Sequence, residues 1–222
     1  MKKLTSILLL FLTFLFVSVS NAAAQQEHEY VDLGLPSRTL WATTNIGAAN
    51  PWDYGYYFAW GETTTKTKYD WSTYKYANGD SEKFTKYCNK SDYGNNGYTD
   101  SRTTLERSDD AATANWGSNW CMPTLDQIKE LKDKCTWTWT TKNGNKGYEV
   151  KGPNGKTLFL PAAGLRSGTD LYSVGSSGCY WSSSLVESVP SDARLLLFLS
   201  SQVGWLSSHR YLGHTVRPVR CR

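Results

Sequence analysis

His209 and His214 stand five residues apart near the end of the chain, and imidazoles are the commonest metal ligands. No acid or cysteine stands close to them in sequence, so exposed histidines are the favoured reading. Asp109 and Asp110 are a candidate carboxylate pair, but adjacent residues on a helix point apart, and capping explains them better. Ser182-Ser183-Ser184 lacks the G-x-S-x-G context that exposes a nucleophile. Neither a P-loop nor a G-x-G-x-x-G string occurs. The five cysteines, Cys88, Cys121, Cys135, Cys179 and Cys221, contain no C-x-x-C pair, so zinc or dithiol chemistry has no support. The expectation is that the protein is not an enzyme and has no catalytic residue, metal site or cofactor. Trp52 and Trp60 offer faces on which a sugar could stack, but core packing is the commoner fate of Trp.

The elements that would position these groups show through periodicity. Ser108 is placed to cap a short helix that Gly117 ends, with Asp109 and Asp110 in its first turn. A second helix is expected from Thr124 to about Lys134. Thr124 and Gln127 form a capping box, and Leu125, Ile128 and Leu131 make an apolar stripe. From Thr136 onward the period falls to two. Strands are expected at 30–33, 39–44, 136–141, 148–151, 157–160, 180–185, 194–199, 203–206 and 215–220, with Gly152-Pro153-Asn154-Gly155 as a turn. Residues 78–107 read as a long surface excursion. Two helices followed by many short strands imply an α+β domain.

The chain has 222 residues, 20% of them charged and 14% aromatic, including 10 Trp and 14 Tyr. Forty per cent hydrophobic residues can build a core, so wholesale disorder is excluded. Lys2 and Lys3, the apolar run at 7–19 and Ala22-Ala23-Ala24 read as a secretory leader over residues 1–24. Its loss takes two lysines and no acid from the formal +4, leaving +2, too little for a nucleic-acid binder. No later segment is apolar enough to span a membrane. An exported protein of periplasm, cell surface or medium is expected, with residues 25–222 as one domain and disulfides permitted.

Residues 186–214 differ from the rest. All 15 lysines lie at or before Lys156, and no Asn follows Asn154. The strand Arg194-Leu195-Leu196-Leu197-Phe198-Leu199 is apolar on both faces. With Leu196 and Phe198 inward, Leu195, Leu197 and Leu199 point the other way. Either another layer covers them or they form an exposed partner site. By the same alternation Val203 and Trp205 are expected inward, with Gly204 and Leu206 outward.

The stretches YVDLGLPSRTLWATTNI (30–46), YYFAWGE (56–62), DAATANWGSNWCMPT (110–124), FLPAAGLR (159–166), YWSSSL (180–185) and TVRPVR (215–220) occur together in one family. On them the chain resembles the major paralogous domain family described in Fibrobacter and abundant in secreted proteins of gut Bacteroidetes. The resemblance covers nearly all of residues 25–222. It implies a C-type-lectin-like domain of the formylglycine-generating-enzyme-like branch, and it implies a target of a diversity-generating retroelement. In such systems an error-prone copy rewrites Asn codons of the C-terminal segment into NNY codons.

The resemblance makes Leu196, Phe198, Trp205, Arg210 and Gly213 fixed positions. The implied ligand-binding face comprises Val186, Val189, Ser191, Asp192, Arg194, Leu195, Leu197, Leu199, Gly204, Leu206, Ser207, Ser208, His209, Tyr211, Leu212 and His214. Its apolar anchors suit a protein or cell-surface ligand. A calcium-independent carbohydrate-binding lectin and a non-variable adhesion subunit are the alternatives. The strings of calcium-dependent sugar binding, E-P-N, Q-P-D and W-N-D, are absent. Several positions depart from the family pattern. His214 replaces a usual Gln, Arg194 a frequent Trp and Cys121 an Arg. Cys179 stands where an aromatic is common. The two unusual cysteines are expected to pair with each other or to be neutral changes.

Overall fold

The computed structural model describes residues 27–221. The expected leader at 1–24 lies outside them. The chain begins with β1 (Tyr30–Asp32) and β2 (Leu40–Ala42), an antiparallel pair. Helix α1 (Ala111–Trp116) follows a single 3-10 turn at Arg107–Asp109. Its cap is Asp110, not the expected Ser108: the Asp110 carboxylate accepts from the amides of Ala112 and Thr113 at 2.8 and 3.0 Å. Asp109 instead turns into the protein. Strand β3 (Trp120–Cys121) leads to α2 (Leu125–Lys134), where the capping box forms as the sequence indicates. The Gln127 amide donates to Thr124 Oγ1 at 3.2 Å, and the Thr124 amide to Gln127 Oε1 at 2.9 Å. Ile128 and Leu131 are the buried side of this helix.

Three antiparallel strands come next: β4 (Thr136–Lys142), β5 (Asn145–Lys151) and β6 (Thr157–Pro161). A small hairpin, β7 (Leu165–Ser167) and β8 (Asp170–Tyr172), was not legible in the sequence, because three-residue strands carry too little periodicity. Strands β9 (Ser177–Leu185), β10 (Asp192–Leu199) and β11 (Gln202–His209) form a sheet with β10 central and β11 at the edge. Finally β12 (Val219–Arg220) inserts between β2 and β3, joining both ends of the described chain in one sheet. The disulfide Cys121–Cys221 bridges the same place. Cys121 therefore pairs with Cys221 and not with Cys179, which is a buried free thiol. The architecture is mixed α+β, mostly small antiparallel sheets with two helices.

Two apolar clusters lie on opposite faces of the β9–β10–β11 sheet. One is aromatic, with Trp60, Tyr74, Phe84, Tyr87 and Trp181. The other joins α2 and β4–β6 through Ile128, Leu131, Val150 and Leu160. Leu195 and Trp181 belong to the first, Leu196, Phe198 and Tyr180 to the second. The close fit leaves no room for a side chain at Gly178, where a Cβ would lie 2.0 Å from the Phe198 ring. Residues 78–107 are no simple surface excursion, since Phe84, Tyr87 and Cys88 within them are wholly buried. Among the described residues, no helix is long and apolar enough to cross a membrane.

Candidate functional site

The segment 186–214 is built around residues that it buries. Arg210 is fully buried. Its Nε donates to Tyr74 Oη at 2.8 Å, its Nη1 to the carbonyls of Tyr87 and Pro190, and its Nη2 to that of Lys86. The guanidinium also lies 4.4 Å from the centre of the Phe84 ring and 5.0 Å from that of Trp60. The charge is held by carbonyl dipoles and π faces, and no carboxylate bridges to it among the described residues. The loop that follows β11 is thereby fastened to the aromatic core.

His214 is the second fastening. Its ring is buried against Trp181, with centroids 4.3 Å apart, and Nε2 contacts Ser208 Oγ at 3.0 Å. Burial pushes its pKa down to about 3. A Ser–His contact is the start of a nucleophile, but this imidazole is a very weak base, and Nδ1 has no partner to orient it. The pair is better suited to holding β11 than to acyl transfer.

Four of the sequence-derived site residues are buried: Val186, Ser191, Leu195 and His214. The outward reading of Leu195 fails because the aromatic layer covers that end of β10. Leu197 is half-buried against the same layer. The exposed or half-exposed members are Val189, Asp192, Arg194, Leu199, Gly204, Leu206, Ser207, Ser208, His209, Tyr211 and Leu212. Trp205 was expected inward. It shares the face of Leu196, its cross-strand partner, but at the sheet edge it keeps 37% of its surface exposed. The ammonium groups of Lys129 and Lys132 sit 5.9 and 5.4 Å from its ring centre.

These residues group in three places. Leu197 pairs with Gly204 across the ladder, and with Leu199 and Leu206 they border an apolar recess of about 90 Å³. At the other end of the sheet, His209 Nδ1 contacts Asp192 Oδ1 at 2.8 Å and the ring stacks on Tyr211. Trp71 meets Tyr211 edge-on at 4.7 Å, extending this aromatic ledge. Sequence reasoning missed Trp71, whose only signal is its place among the Trp, Tyr and Phe residues crowded into positions 50–76. Asp70 caps the 3-10 turn that presents it. On the far side, Arg194 lines a polar cleft of about 590 Å³ with Thr103, Thr104, Ser184 and Glu187. Among the described residues, no three His, Cys, Asp or Glu side chains are grouped to hold a metal ion.

Comparison of the chain with protein-family models, with curated proteins and with solved structures finds no match.

Proposed function

We propose that this is an exported, non-catalytic ligand-binding protein of C-type-lectin-like type, whose segment 186–214 is a diversified recognition surface. The observation that carries the reading is the split within that one segment. Arg210, His214, Leu196 and Phe198 are locked into two cores, while Leu199, Leu206, Ser207 and His209 are exposed. Side chains of the second kind can change at a cost of about 0.5 kcal/mol or less, whereas those of the first kind cannot. An apolar recess at one end of the sheet and an aromatic ledge at the other suit a protein or cell-surface partner, because buried aromatic and aliphatic anchors supply most interface energy. The disulfide and the lack of a membrane-crossing helix among the described residues are compatible with export.

Sequencing this locus across a population tests the reading. Amino-acid changes should concentrate at Val189, Leu199, Leu206, Ser207, His209 and Leu212 and spare Arg210, Leu196 and Phe198. A near-copy of the segment carrying Asn codons, beside a reverse-transcriptase gene, is the expected source. Substitutions spread evenly over residues 27–221 would refute it.

A further inference from the structure

A cleft of about 550 Å³ lies outside segment 186–214, between residues 55–57, 65–69 and 166–169. Its floor and walls combine three kinds of group. Tyr56 is 52% exposed, yet its ring is not loose. One face lies directly on Gly47, where a Cβ would come within 2.4 Å of the ring. Gly47 also has φ +78°, so glycine is required there twice over. Tyr56 lines the cleft while its ring packs on Gly47.

Arg166 is the second group. Its backbone is pinned by paired hydrogen bonds with Gly213, at 2.8 and 2.9 Å. Its guanidinium stands 5.3 Å from the Tyr57 ring centre. Its only polar contact among the described residues is a long one, Nη1 to the Thr169 carbonyl at 3.5 Å. The other cation in the cleft, Lys66, is already engaged by Glu62 at 2.9 Å. Arg166 is thus half-buried, and it makes no ion pair among the described residues, so most of its guanidinium donors are unspent. The third group is hydroxyl: Thr65, Thr67 and Thr169 line the same space, and among the described residues none of their hydroxyls makes a hydrogen bond.

We infer that this cleft binds a carboxylate-bearing sugar, a uronic acid residue of a glycan. The apolar face of the pyranose rests on Tyr56, its carboxylate takes the Arg166 fork, and its hydroxyls meet the threonines. A neutral hexose leaves the guanidinium without its partner, and a flat aromatic acid leaves the threonines unused. No calcium takes part in this arrangement. The site is separate from the proposed variable surface.

Titrating the full chain with sodium glucuronate and sodium galacturonate, by calorimetry or by NMR shifts, tests the inference. Saturable binding of at least one is expected at or below about 10 mM, as for a small polar ligand. Glucose and benzoate should bind at least about tenfold more weakly. Arg166→Gln and Tyr56→Ala should each weaken uronate binding by about tenfold or more, with melting temperatures close to wild type, and added salt should weaken it too. Leu206→Asp should leave it unchanged. No saturable uronate binding, equal binding of glucose or benzoate, or full binding by both cleft variants would overturn the assignment.

Discussion

Arg210 Nε donates to Tyr74 Oη at 2.8 Å, tying a residue of the recognition segment to one 136 positions earlier. Arg210 sits between His209 and Tyr211, both of which contact Trp71. A buried residue therefore stands between an exposed and a half-buried one where β11 gives way to the loop that follows it.

Arg210→Gln should destabilise the protein by at least about 3 kcal/mol, since several buried carbonyls lose a charged donor. At roughly 3 °C per kcal/mol the melting temperature falls by about 10 °C. Urea denaturation checks this, and an unchanged midpoint would contradict the anchoring role.

Leu206→Asp and Leu195→Asp separate the two kinds of position. The first should stay within about 0.5 kcal/mol of wild type. The second places a carboxylate against Trp181 and the aromatic layer, and should cost about 3 kcal/mol or more. Leu197→Asp should fall between them. Equal effects for Leu206 and Leu195 would mean that β10 is not covered as described.

His214 couples stability to pH. An unfolded histidine titrates near 6.5, whereas the buried ring is held down to about 3 by desolvation. Between these values the unfolded chain binds the extra proton, so stability falls as pH drops from about 6.5 towards 3. The slope is about 1.4 kcal/mol per pH unit from this group. His214→Gln should flatten that limb in denaturation curves taken at pH 7, 5.5 and 4.5.

Asp109 acts at lower pH. Burial works against its charge. The Lys86 ammonium at 2.6 Å and the hydroxyls of Tyr76 and Tyr87 outweigh that and hold its pKa down to about 2. The stabilisation is complete above about pH 4 and is lost as pH falls through 2, roughly 2 kcal/mol in all. Asp100 and Glu106 shift the same way, so Asp109→Asn should remove only part of the acid transition.

Cys121–Cys221 closes a loop with a sequence separation of 100. By chain entropy, its reduction should cost about 4.7 kcal/mol. Peptide mapping under non-reducing conditions should find this bridge alone, with Cys88 and Cys179 unreactive until the chain unfolds, because both are buried. A Cys121–Cys179 peptide would refute the assignment.

What was legible in the sequence was local. The cap and stripe of α2 act within four residues, and the turn at 152–155 and the period-two strands after Thr136 act within ten. These signals needed no knowledge of distant neighbours, so the mixed α+β class could be read from them. The first helix was misplaced by two residues because Ser108 and Asp110 are both good caps. Only the free backbone amides of Ala112, Thr113 and Met122 select Asp110.

The two faces of β10 were not legible. Leu195 and Leu199 lie on the same side of one strand, and the alternation treats them alike. Residues far back in the chain, among them Trp60, Tyr74 and Phe84, cover one and leave the other open. The covering of a strand by a second layer is a contact of high sequence separation, and periodicity carries no record of it. The sequence alone determined which residues were apolar, how they alternated and where the helix began. The tertiary structure alone decided which of those apolar residues water still reaches.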